Sequence, residues 1–174
     1  MPDRSPFVNL PPEELIALLE DGAKNWLAMD GLWFLAVEER FGLETAIALD
    51  RAVWERFSPI EARRIMARHG IAPAGGLPAL AAALRYRLYA HLNEHELEWT
   101  ERRMLVLKVK TCRVHAARER DGRPPFPCCG VGLVEYTAFA QAIDPRIRTR
   151  CLGCPPHRPE GAWCAWEFST GEVG

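Results

Sequence analysis

The six cysteines of this 174-residue chain all lie between residues 112 and 164, and none occurs in residues 1–111. The densest run is CLGCPPHRPEGAWCAWEF, residues 151–168, which holds three of the six and one histidine. Four kinds of chemistry suit such a run: a disulfide staple, a metal site, a redox dithiol, or buried thiols without a ligand. The compartment of the protein and the fold that brings the thiols together decide among them.

The N-terminal stretch MPDRSPFVNLPPEEL lacks the apolar core and the small-residue cleavage site of a secretory signal. We therefore expect a cytoplasmic protein, in which thiols stay reduced and disulfides are rare. The chain carries 22 basic and 23 acidic side chains, so it has no overall attraction to nucleic acid or to an anionic membrane. We expect neither as a partner.

Helical periodicity dominates residues 1–93. Prolines and acids in NLPPEEL suit the first turn of a helix, and Gly22 is expected to break or bend it. Further helices are predicted in NWLAMDGLWFLAVEERFG, in LETAIALDRAVWERFSPIEARRIMARHGI and in LPALAAALRYRLYAHL. The second of these is expected as one long helix or as two that meet near Ser58 and Pro59, with Gly70 at its end.

From residue 94 onwards, apolar and polar residues alternate, which is the two-residue period typical of β-strands. HELEWT and RMLVLKVKT alternate apolar and charged residues, and the polar TERR between them predicts a hairpin turn. After a short helix at 113–120 and another in VGLVEYTAFAQAI, the segments RIRTRCL and AWCAWEF predict a second pair of strands. The expected fold is α+β, with N-terminal helices packed on a small antiparallel sheet that ends in a cysteine-bearing hairpin. The helical region 1–93 and the cysteine-rich region 94–174 are expected to share one core.

The spacing of Cys151 and Cys154 is that of a C-x-x-C pair, which lets two thiolates reach one ion from a tight turn. Cys164 lies on the facing strand of the same hairpin, so a third thiolate can converge with little loss of chain entropy. We predict a metal site built from these three cysteines. The fourth donor is expected to be Cys112 or Cys128, although Cys129 could also supply it, and His115 and His157 are reserve ligands.

Thiolate donors favour Zn²⁺ or an iron–sulfur cluster. Zinc is the simpler assignment, and a proline directly after Cys154 keeps an iron–sulfur cluster as the alternative. A redox dithiol suits the motif less well, because Pro155 and Pro156 occupy the place where a thioredoxin-like motif would open a helix. Unligated buried thiols stay open as the fourth interpretation.

The placement of the cysteines also resembles a known kind of domain. A strand that ends at Cys112, a loop with Cys128, the helix GLVEYTAFAQAI and the hairpin IRTRCLGCPPHRPEGAWCAWEF resemble the 4-vinyl reductase type of small-molecule-binding domain. This resemblance implies a metal site beside a ligand pocket, with Cys112, Cys128, Cys151 and Cys164 at matching positions and Cys154 as an addition. The helical stretch around DGLWF resembles a family of bacterial cytosolic proteins that is distantly similar to the L-2-amino-thiazoline-4-carboxylic acid hydrolase family.

Asp30 lies within an apolar helical stretch, and its neighbours one turn away are Trp26, Trp33 and Phe34. One interpretation is a ligand pocket, in which the acid binds or protonates a small molecule between these three aromatic walls. The other is a structural carboxylate that is satisfied by backbone groups or by an arginine such as Arg63.

We expect a small-molecule-binding module of sensor or carrier type, with a cysteine-bound metal next to an apolar pocket and a small apolar or aromatic ligand. In a second class, a metal-dependent hydrolase or reductase, an open metal position would activate water or a carbonyl, with Asp30 or Glu135 as the base. In a third class the metal would occupy a purely structural site in a protein that binds other proteins. The sequence leaves open the ligand, the reaction and whether the protein forms a homodimer.

Overall fold

The computed structural model describes residues 2–100 and 104–171, in which five α-helices accompany one four-stranded antiparallel sheet. The helices are α1 (Pro12–Phe41), α2 (Leu43–His69), α3 (Gly76–Leu84), α4 (Arg113–Arg120) and α5 (Cys129–Ile143), with short 3-10 turns at Ser5–Phe7 and Leu88–His91. The strands are β1 (His95–Trp99), β2 (Leu105–Val109), β3 (Ile147–Gly153) and β4 (Cys164–Thr170). The α+β fold class predicted from the sequence is confirmed.

The first two helices differ in how well the sequence predicted them: α1 is longer than expected, whereas α2 is the single long helix that was one of two expectations. α1 continues through Gly22, where a break or bend was expected, because a glycine inside a helix costs only about 1 kcal/mol. α2 continues through Pro59 and ends where Gly70 adopts the left-handed conformation. The proline removes one helical hydrogen bond, and burial of Ala62 and Ile65 on the following turn helps to offset that loss.

The sheet has the strand order β1-β2-β4-β3, so the C-terminal hairpin lies beside β2. Leu107 pairs with Trp166, and Cys151 pairs with Trp166 from the other side. Gly132 of α5 lets the Trp166 ring approach the helix, since a Cβ atom there would lie 2.5 Å from the ring. The predicted TERR turn falls largely outside the described residues.

The main core contains side chains from both sequence regions. Ile65 of α2 and Leu80 of α3 pack with Phe139 of α5 and with Trp166 of the sheet. Burial of each such side chain contributes roughly 1.5–3 kcal/mol. A second apolar cluster surrounds Trp54, and the space between the two clusters becomes the cavity described below.

Among the described residues, no helix combines the length and the apolar character that a membrane crossing requires.

Candidate metal site and adjoining cavity

Three cysteines from separate parts of the chain converge at one edge of the sheet. Cys129 opens α5, Cys151 lies on β3, and Cys154 follows that strand directly. Their sulfur atoms lie within 4.8 Å of one another. The pairing of β3 with β4 shifts register between Cys151 and Gly153, and the backbone of Cys154 then forms an isolated bridge with His157. The C-x-x-C pair therefore lies at the irregular end of β3, with its sulfur atoms close to that of Cys129 at the start of α5.

The spacing of the three thiols suits a single metal ion. In a tetrahedral site with bonds of about 2.3 Å, neighbouring sulfur atoms are about 3.8 Å apart, which small side-chain rotations could achieve here. Cys154 is buried, Cys151 is half-buried and Cys129 is exposed, so the site opens to solvent on one side. Within residues 2–100 and 104–171, no other set of three metal-donor side chains converges as closely.

The protonation of these thiols depends on whether a cation is present. Burial raises the pKa of Cys151 and of Cys154, and their close neighbours raise it further. Thiols in this setting stay protonated at neutral pH unless a positive charge stabilises the thiolates. A bound divalent ion provides that charge and lowers the pKa of its thiol ligands.

The other three cysteines, Cys112, Cys128 and Cys164, line the adjoining cavity. Cys164 was predicted to join Cys151 and Cys154 on one ion, but it lies outside their cluster. Its sulfur accepts a hydrogen bond from Nε1 of Trp166 at 3.2 Å, on the cavity side of β4. Cys128 interacts with the Cys154 thiol of the cluster. Burial raises its pKa to about 12, and the Cys154 thiol opposes that shift.

Cys129 is the third member of the cluster, although the sequence suggested it only as one of three candidates for the fourth donor. Its place just before the predicted helix VGLVEYTAFAQAI was the available signal, because it becomes the first residue of α5 and the helix then fixes its position. Among the two reserve histidines, His157 is exposed beside the cluster and His115 is buried at the cavity.

A cavity of about 560 Å³ lies between α1, α2, α4, α5 and the sheet. Its walls are largely apolar and aromatic, which is typical of a site for a small organic ligand. Several polar groups converge on it as well. These are the carboxylates of Asp30, Asp50 and Glu135, the imidazoles of His95 and His115, and the three thiols named above.

The aromatic residues predicted to surround Asp30 are not all at the cavity. Asp30 and Phe34 line it, whereas Trp26 packs against Trp54 and Tyr89 with ring centroids 6.0 and 5.4 Å apart. Trp33 is 67% exposed. Trp26 and Trp33 share one side of α1, but they lie about 10 Å apart along its axis, so the same neighbours do not cover both.

Two carboxylates in the cavity have no cationic neighbour among the described residues to offset their burial. Burial raises the pKa of Asp30. Burial, followed by the nearby charges of Asp30 and Glu135, raises the pKa of Asp50 to about 7. Arg63, considered above as a partner of Asp30, is exposed and does not contribute to its pKa.

Arg87 is a buried cation that the sequence pattern did not indicate. It is only 2% exposed, and its Nε donates to Oε2 of Glu61 at 2.9 Å. Its Nη2 lies 2.8 Å from Oε1 of Glu135, within ion-pair range but away from a good hydrogen-bond angle. The guanidinium also stacks 4.6 Å from the ring of Phe139. Nothing in the pattern RYRLYAHL distinguishes this arginine from its exposed neighbour Arg85, because burial depends on α5.

His115 has no hydrogen-bond partner for either ring nitrogen among the described residues. The side chain is 2% exposed and lies between the rings of Phe126 and Trp163, at 5.4 and 5.1 Å. Burial lowers the pKa of His115 and of His95 to about 4, so both imidazoles are neutral at pH 7. Unpaired buried nitrogens are costly, and at a cavity wall they indicate a place for a polar ligand group.

No curated protein and no solved structure matches the chain. The resemblance to the 4-vinyl reductase type of domain therefore stays a prediction. Residues 8–170 match the model of DUF6125, described as a family of unknown function, and the chain belongs to that family.

Proposed function

We propose that this protein is a small-molecule-binding protein of sensor or carrier type, in which a cysteine-bound metal lies next to the ligand cavity. The observation that carries the proposal is the convergence of Cys129, Cys151 and Cys154 within 4.8 Å. Cys128, the residue before Cys129, lines the cavity. The metal site and the cavity therefore meet at the first turn of α5.

Zinc is the metal that we propose, with an iron–sulfur cluster as the alternative. When bound, the ion supplies the positive charge that keeps the thiolates ionised. Cys129, Cys151 and Cys154 would be three donors, and a side-chain rotation of Cys128 could provide a fourth. Such a site would link the start of α5 to the hairpin, and a ligand that moves Cys128 would then affect the metal. This coupling is what a sensor requires.

The metal is tested by elemental analysis and absorption spectroscopy of protein purified without oxygen. We expect one zinc per chain and a colourless solution. A brown protein with broad visible absorption would favour the iron–sulfur alternative. A folded protein without any metal would contradict the metal site.

The donor set is tested with single serine variants of matched chemistry. Cys129→Ser and Cys154→Ser should lose most of the metal, whereas Cys112→Ser and Cys164→Ser should retain it. Retention in Cys129→Ser together with loss in Cys164→Ser would contradict the cluster and favour the hairpin set expected from the sequence. Circular dichroism of each variant controls for loss of the fold.

Ligand binding is tested with a neutral apolar dye such as Nile red. We expect saturable binding with one site per chain, and a bulky substitution in the cavity wall, Val131→Trp, should abolish it. The exposed substitution Val53→Trp serves as the control and should leave dye binding unchanged, since Val53 is solvent-exposed on α2. Absence of saturable binding to the folded protein would count against the proposal.

A metal-dependent enzyme is the second candidate, and the exposure of Cys129 favours it. Three thiolates with the fourth position open to solvent would form a catalytic type of site, whereas four thiolates would form a closed structural one. X-ray absorption at the zinc edge distinguishes the two. Three sulfur ligands and one oxygen would favour the enzyme, and four sulfur ligands would exclude an open position.

A further inference from the structure

The charges around the cavity are not balanced. Arg87 is one cation between two carboxylates, Glu61 and Glu135. Asp30 and Asp50 add two further acids on the α1 and α2 side of the cavity. In the part of the chain that the structure describes, no basic side chain offsets the burial of either aspartate.

The cations that line the same cavity are already engaged or solvated. Arg113 is exposed. The other four have carboxylate partners of their own: Arg118 with Glu38 at 2.7 Å, Arg123 with Glu39 at 2.7 Å, Arg120 with Asp121 at 2.9 Å, and Lys24 with Asp21 at 3.1 Å. Asp30 and Asp50 are therefore the acids that a ligand would find without a cationic partner among residues 2–100 and 104–171.

A second, independent feature of the same cavity also indicates a ligand. Both ring nitrogens of His115 are buried without a partner in the described structure, and Nε2 of His95 is as well. Because a neutral imidazole offers one donor and one acceptor, these residues suit an uncharged hydrogen-bonding group rather than a second charge.

A metal ion does not suit the two aspartates. Within the described residues, the three-donor group that converges closely enough for an ion is the thiol cluster, and neither aspartate belongs to it. An organic cation needs fewer converging donors than a metal, because a carboxylate attracts an ammonium group directly and aromatic rings attract its charge. The rings of Trp54 and Tyr89 line the cavity together with Asp50.

We infer that the ligand of this cavity is an organic cation, such as a protonated amine on an apolar or aromatic body, with its charged end against Asp30 and Asp50. The apolar body lies towards Tyr136 and Trp166, and a polar group of the ligand reaches His115. This inference rests on the proposed function, because it names the ligand class of the same cavity.

The test is displacement of Nile red by three indoles that differ mainly in charge: tryptamine, indole-3-ethanol and indole-3-propionate. Tryptamine should compete about tenfold more strongly than the neutral alcohol, as expected for one charge-assisted contact, and the anion should compete least. Equal competition by all three, strongest competition by the anion, or no displacement by tryptamine would overturn the inference. Failure of the dye itself to bind would instead count against the proposed function.

Two variants test whether Asp30 and Asp50 cause the preference for tryptamine. Asp30→Asn and Asp50→Asn should reduce the advantage of tryptamine over indole-3-ethanol in displacing Nile red to about twofold or less. Asp121→Asn is the matched control, because Asp121 also lines the cavity but is paired with Arg120. An unchanged preference in both Asp30→Asn and Asp50→Asn, or an equal loss in Asp121→Asn, would overturn the assignment.

Discussion

The six cysteines divide into two sets that differ in exposure and in neighbours. Cys129, Cys151 and Cys154 form a close cluster that is open to solvent, whereas Cys112, Cys128 and Cys164 line the cavity. Sulfur atoms of the first set can share one ion, and those of the second set are spread along a wall that also contains carboxylates and imidazoles. Neighbouring cysteines can therefore differ in role, because Cys129 belongs to the cluster whereas Cys128 lines the cavity and lies next to Cys154.

The stability of the protein should depend more on the buried charges beside the cavity than on charges at the protein surface. Arg87→Leu leaves Glu61 and Glu135 buried without their cation, and we expect the free energy of unfolding to fall by about 3–5 kcal/mol. Urea denaturation measures the change. Arg150→Leu is the control, because Arg150 is 69% exposed in its pair with Glu167 and its loss should cost about 1 kcal/mol or less. Equal losses in the two variants would refute the structural role of Arg87.

Because of Asp50, the stability of the protein should fall as the pH rises. Its pKa is raised from 3.8 to about 7, so the folded state holds its proton after the unfolded state has lost it. Stability is therefore lost as pH rises from about 4 to about 7. Asp50→Asn removes this loss, and we expect it to be more stable than the parent protein at pH 8 by roughly 2–4 kcal/mol. Thermal denaturation at pH 4.5 and pH 8 checks the difference, which should shrink at the lower pH.

Alkylation should separate the two sets of thiols directly. Bound zinc should slow the reaction of Cys129, Cys151 and Cys154 with iodoacetamide by about tenfold or more, because metal-bound thiolates are poor nucleophiles and are shielded. The thiols of Cys112 and Cys164 should be unaffected by zinc and protected instead by a cavity ligand. Mass spectrometry of digested protein follows each site. Protection of Cys164 by zinc would show that the two sets are one site.

Of the stability changes predicted here, that of His115→Phe should be the smallest, and it should be an increase. A phenylalanine ring at this position would keep the stacking on Phe126 and Trp163 without two unpaired nitrogens, so His115→Phe should raise stability by about 1 kcal/mol at pH 7. The lowered pKa of His115, about 4, means that parent stability falls as pH drops from about 6.5 to about 4. The variant should lose less over that interval in urea denaturation. A steeper fall would contradict the neutral, unpartnered imidazole.

The fold class, the four strands and the location of most helices could be predicted from the sequence, because hydrophobic period and turn residues are local properties. The concentration of potential metal donors in the C-terminal region was also visible there. Two helix predictions were wrong. Gly22 does not break α1, and the helix predicted over LPALAAALRYRLYAHL ends at Leu84 and is followed by a 3-10 turn at Leu88–His91. Pro59 could not decide between one long helix and two short ones, and α2 is the single long helix.

The alternation that forms the β3–β4 hairpin and the C-x-x-C spacing of Cys151 and Cys154 follow from the amino-acid sequence without any knowledge of packing. Which third thiol joins them is settled by tertiary structure, because the direction of Cys129 depends on how α5 packs across the sheet. Tertiary structure also packs Trp26 against Trp54 and places Asp30 at the cavity, since a helical pattern shows which residues share a side and not what covers them. Long-range packing is the reason in both cases, and it is set by residues far apart in the chain.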